Sequence, residues 1–153
     1  MHCRSLRISA LVIAAFTGVA CATFGKSAAT PQVSLYARLG GYAALAAVTD
    51  DILAREIKDP MIVPFFTELE LRDVQRIRQH LLDQLCAATG GPCFYPGRDM
   101  KTVHAEMEIT SDIWNAFTRH IGETLNAFKV PERERNELVV IVQSLKKDIV
   151  NKP

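Results

Sequence analysis

The side chains best able to do chemistry in this 153-residue chain are its imidazoles and thiols: His2, His80, His104 and His120, with Cys3, Cys21, Cys86 and Cys93. A bare imidazole nitrogen can ligate a transition metal or exchange a proton near neutral pH. His104 sits among Met100, Val103 and Met107, soft apolar side chains suited to packing against a flat, greasy group. His80 falls between Gln79 and Leu81, and His120 between Arg119 and Ile121, where it reads as a surface or packing residue. Cys86 and Cys93 have no flanking histidine and lack the ligand spacing of a zinc site. They form either a disulfide or one buried and one loop thiol, and the compartment decides between these.

The N-terminus speaks to compartment. Met1–Arg7 holds two arginines and no acid, and Ile8–Ala20 then runs thirteen residues without a charge. A bilayer span takes roughly 20 apolar residues, so this run fits the core of an export signal better than a permanent anchor. Ala20-Cys21-Ala22 fits a small-x-small cleavage site, and Gly18-Val19-Ala20-Cys21 fits an imperfect lipobox with a lipid on Cys21. The expected organisation is a signal over 1–21, a tether over 22–33 and one domain over 34–150. The protein is then periplasmic or lipid-anchored in the cell envelope, touching membrane only through Cys21. An oxidising compartment favours the Cys86–Cys93 bond.

Composition sets the outer limits. Hydrophobic residues make up 48% and charged residues 23%, which excludes wholesale disorder. Without Arg4 and Arg7, basic and acidic residues stand at 16 against 17, so no basic field exists to hold nucleic acid.

The elements that must position these side chains are all helical. Apolar residues recur at three- and four-residue steps from Ser34 onward, and no stretch alternates with period two. Ser34 caps a short helix ending at Gly40-Gly41. Leu45, Val48, Ile52 and Ile57 line a second helix, closed by Asp59-Pro60. Leu71, Val74, Ile77, Leu81, Leu85 and Ala88 line a third, ended by Gly90-Gly91-Pro92. A brief helical piece covers Asp99–Glu106. Thr110 caps a fourth stripe of Ile113, Phe117, Ile121, Leu125 and Phe128. Pro131 opens a last helix carrying Leu138, Ile141, Val142, Leu145 and Ile149.

Four local signatures occur in fixed order: Leu35-Tyr36-Ala37-Arg38-Leu39-Gly40-Gly41, Asp59-Pro60 to Pro64-Phe65-Phe66, Ala88-Thr89-Gly90-Gly91-Pro92, and Tyr95-Pro96-Gly97-Arg98-Asp99-Met100-Lys101-Thr102-Val103-His104. Together they resemble the group I truncated haemoglobins over roughly Ser34 to Val150. The resemblance implies an all-α, two-over-two helical sandwich around haem b, with His104 as proximal iron ligand. It also implies haem contacts from Phe66, Ile77, Leu81, Leu85, Tyr95, Met100, Val103, Ile109 and Trp114, and propionate partners in Arg98 and Lys101. Phe65 is expected to pack between helices.

The same alignment makes the distal side unusual. Leu53 and Leu81 stand where many members carry Tyr and Gln, which hydrogen-bond the oxygen ligand; leucine supplies no donor. His80 stands where some cyanobacterial relatives carry a second iron-ligating histidine. It is either a sixth ligand or a histidine on an exposed helix edge. The resemblance thus implies binding of diatomic gases, oxygen, nitric oxide or carbon monoxide. The alternative is haem redox chemistry, as nitric oxide dioxygenation or bis-histidine electron transfer. Turnover would need a separate reductase, since no Gly-rich dinucleotide motif is present. A helical envelope module without haem is the remaining reading.

Overall fold

The computed structural model describes residues 32–152. The leader, the cleavage or lipidation site at Cys21 and most of the tether lie outside them. Seven helices follow in order: α1 (Leu35–Arg38), α2 (Gly41–Glu56), α3 (Leu71–Ala88), α4 (Met100–His104), α5 (Ser111–Ala127), α6 (Glu132–Ser144) and α7 (Lys146–Ile149). A 3-10 turn, Val63–Phe65, joins α2 to α3. No strand occurs among the described residues. Helix α2 packs on both α3 and α5, and α5 packs on α6, so two helix pairs are laid one over the other.

Local chemistry sets most helix ends. Ser34 accepts the Ala37 amide and Thr110 the Ile113 amide, satisfying donors that a helix start leaves free. At the end of α3, Gly90 adopts φ +81°, its amide donates to Ala87 O, and the Gly91 amide donates to Cys86 O at 2.8 Å. This is the Schellman arrangement, and a side chain at 90 would be strained in it. The Cys86–Cys93 disulfide then ties α3 to the outgoing loop, with Cα atoms 5.7 Å apart.

The main core gathers Val48, Ile52, Leu85, Trp114, Ile121, Leu125, Leu138 and Val142 from α2, α3, α5 and α6. Each such side chain contributes roughly 1.5–3 kcal/mol by leaving water. A smaller cluster of Leu45, Leu82 and Cys86 lies under Tyr36, Leu39 and Cys93. Arg38 pins α1 to α6 by pairing with Glu134 at 3.0 Å and with Glu137.

Four expectations need correction. Ile57 is exposed because it is the C-cap of α2, where the chain leaves the helix. Leu71 and Phe128 are also exposed: one is the first residue of α3 and the other the C-cap of α5, so both lie past the packed faces. The last helix breaks at Leu145. The Ser144 hydroxyl donates back to Ile141 O at 2.6 Å, and the Leu145 amide switches to Val142 O, which turns the chain into α7. Of the two readings of His120, packing is the one observed: it is buried, and its Nε2 lies 2.8 Å from Asp59 Oδ2, which also takes the Arg119 guanidinium.

The disulfide closes a loop of only seven residues' separation, for which chain entropy gives about 2–3 kcal/mol. The double variant Cys86→Ser, Cys93→Ser is expected to lose about that much in urea unfolding. Reductant is expected to lower the parent's midpoint and leave the double variant unmoved.

Candidate functional site

Helix α4 presents His104, and its five residues are too few to be stable alone. Asp99 starts it by accepting the Thr102 amide at 2.9 Å and the Thr102 hydroxyl at 2.6 Å. Those two hydrogen bonds, the hydroxyl's first, hold the Asp99 carboxyl below the usual carboxylate range. At the other end His104 Nδ1 lies 2.7 Å from Met100 O. A carbonyl can only accept, so Nδ1 carries the proton and Nε2 keeps a bare lone pair. A histidine held this way is ready to ligate a metal.

Half-covered apolar side chains gather on the elements around it. Phe65, Leu81, Met100, Met107, Ile113 and Phe117 pack against the core yet remain only partly buried. Phe66 and Val103 are half-buried too, and Ile77 on α3 is exposed at 36%. Ile109, Trp114, Leu85 and Leu53 are fully buried, and Trp114 Nε1 donates to Gln143 Oε1 at 3.3 Å. Arg98 and Lys101 are exposed next to α4, open to an anionic group at the surface. A single ligand-ready imidazole, soft side chains around it and cations at the rim fit haem.

His80 is neither a free surface histidine nor fully enclosed. Its ring stands edge-on to Tyr95, with centroids 5.8 Å apart and planes at 74°. Its Nδ1 is buried and has no hydrogen-bond partner. The Tyr95 hydroxyl donates to Arg98 O at 2.9 Å, and burial raises the Tyr95 phenol pKa, keeping that donor protonated. Gly97 closes over both rings. A Cβ there would stand 2.3 Å from the Tyr95 hydroxyl oxygen and 2.9 Å from His80 Nδ1.

Residues 34–151 match the family described as bacterial-like globin. A group 1 truncated haemoglobin of Chlamydomonas moewusii is 32% identical over 141 residues, covering 90% of this chain and 81% of that protein. The chain is a bacterial-like globin of the group 1 truncated haemoglobin type. A relative from Mycolicibacterium paratuberculosis is 30% identical and covers 76% of this chain and 83% of its own. The 2/2 haemoglobin of a Synechococcus species, solved in the cyanomet state with covalently attached haem, superposes with TM-score 0.70. It is 27% identical, spanning 78% of this globin and all of that chain. The truncated haemoglobin of Tetrahymena pyriformis shares the fold at TM-score 0.73 and 24% identity, with 78% and 100% coverage. Membership of the globin family implies haem binding.

Two residues near this site escape a sequence reading. Asn151 sits far along the chain from α4 yet bonds to its end. Glu56 continues the buried stripe Leu45, Val48, Thr49, Ile52 and Leu53, one turn beyond Leu53, and is only 5% exposed. Its Oε1 has no partner, and burial pushes its pKa up to about 8. A charged residue at the next position of an apolar stripe was the available signal.

Because the folded carboxyl keeps its proton to about pH 8 while the unfolded one loses it near 4.5, stability falls as pH rises between those values. The slope from this group is at most about 1.4 kcal/mol per pH unit. Glu56→Gln is expected to flatten that fall, so its advantage over the parent grows from pH 4.5 to pH 8 in urea titrations.

Proposed function

We propose that this globin holds haem b through His104 Nε2 and binds a diatomic gas at the opposite face. The observation that carries this reading is the Nδ1 bond to Met100 O, which fixes the tautomer a ligand needs. Haem bound there supplies an iron centre whose sixth position can take a small ligand. The chain's part is to hold and shield it. Met100, Val103 and Met107 would pack beside the imidazole, and Phe66 and Leu81 would cover apolar surface. Arg98 and Lys101 would meet the propionates at the solvent rim, contributing little because exposed pairs are weak.

With Leu53 and Leu81 at the two aligned distal positions, neither of these side chains can donate to a ligand that gathers negative charge. The pocket therefore suits carbon monoxide or nitric oxide better than oxygen. Export to the periplasm, or lipid anchoring through Cys21, belongs to the same proposal. Its support is the charged-then-apolar leader together with the Cys86–Cys93 bond, a linkage that persists in oxidising compartments.

His80 favours a second reading, bis-histidine haem for electron transfer through a separate reductase. Its unpartnered, buried Nδ1 beside an apolar distal wall is what supports it. A residue one step from Leu81 points about 100° away, so α3 must turn or shift for His80 to reach the iron.

His104→Ala is expected to lose tight haem binding, read as loss of the Soret band after desalting, while far-ultraviolet dichroism keeps most of its helical signal. Normal haem retention would remove His104 from the ligand position. For His80, the second reading expects a low-spin ferric parent by electron paramagnetic resonance and a high-spin His80→Leu variant. A high-spin parent returns the site to the gas-binding reading.

A further inference from the structure

The short helix that carries His104 ends without the means to satisfy its own carbonyls. Helix ends leave up to four carbonyls without an internal partner, and a five-residue helix is nearly all end. In this globin the Met107 amide reaches His104 O at 3.0 Å, and the further partner is Asn151. Its Nδ2 donates to His104 O at 2.6 Å and to Ala105 O at 3.0 Å. Its Oδ1 accepts the Ile109 amide at 2.8 Å. Its own amide donates to Ile109 O at 3.0 Å, and the Lys152 amide reaches the same oxygen at 3.1 Å. One side chain thus closes the whole segment from His104 to Ile109, which includes Glu108 at φ +50°. Helix α7 packs directly on α4 just before it, so the clamp is delivered by a docked element and not by a loose tail.

We infer that Asn151 is a positioning residue for the proximal histidine. This rests on the reading of His104 as the iron ligand. The carbonyl that Asn151 grips belongs to His104 itself, so the clamp fixes the backbone from which the imidazole projects. The Met100 bond fixes the ring's rotation, and the Asn151 bonds fix its origin. Only an amide of this length offers two donors and an acceptor at once. Aspartate would place a carboxylate against two carbonyls, and leucine would strip the side-chain partners from Ala105 O and the Ile109 amide, leaving His104 O only the Met107 amide at 3.0 Å.

The test uses the haem-loaded protein. Parent, Asn151→Leu and Lys152→Ala are compared by the iron–histidine stretching band of the ferrous form, by haem release to excess apomyoglobin, and by urea unfolding. Lys152→Ala removes the exposed Glu108 ion pair and leaves the amide clamp in place. Asn151→Leu is expected to shift or broaden the band and to release haem about tenfold faster, the scale of one or two lost hydrogen bonds. Lys152→Ala is expected to match the parent in both. An unmoved band with parental release overturns the inference. So does faster release that only tracks an equal loss of unfolding stability with the band unmoved. If the parent's ferrous haem is six-coordinate through His80 and gives no band, the comparison is made in the His80→Leu background; no band there overturns the ligand assignment as well, which separates the two failures.

Discussion

A five-residue helix bears His104, the proposed iron ligand, and such a helix cannot persist in water on its own hydrogen bonds. The hydrogen bond from His104 Nδ1 to Met100 O answers one half of that problem, because it sets both the tautomer and the direction of the ring. The other half is answered from outside the helix. Asp99 supplies the start, and a residue 47 positions away supplies the end. The proximal side is therefore positioned by tethers to rigid elements, with α7 and the buried Ile109 as anchors.

The opposite wall is held by different means. Helix α3 is long, and its end is fixed twice, by the Schellman bonds at Gly90-Gly91 and by the disulfide to Cys93. The loop leaving that disulfide brings Tyr95 and Gly97 over His80, so one covalent link places both the end of α3 and the cover of its histidine. Glu56, at the end of α2, is buried with no partner for its Oε1, and burial pushes its pKa up to about 8, a cost the fold tolerates.

What the sequence made legible was local. Ser34, Asp99 and Thr110 as caps, Gly90 as a left-handed stop and the order of the four signatures all act within a few residues. They yield the helices and the family, and they point to His104 as the residue to test. Where pairing crosses the fold, the chain offers no such signal. For His120 the sequence left surface and packing both open, because the partner that decides it, Asp59, lies 61 residues earlier. Asn151 was silent for the same reason. Leu71, Ile57 and Phe128 continue apolar stripes past the point where another helix covers them, and periodicity alone does not mark that point.

The most direct measurement is a crystal structure of the haem-loaded protein. The account predicts iron bonded to His104 Nε2, with Nδ1 still on the Met100 carbonyl and α4 unchanged between Asp99 and Asn151. Iron held by another side chain, or His104 turned so that Nδ1 faces the metal, would contradict it.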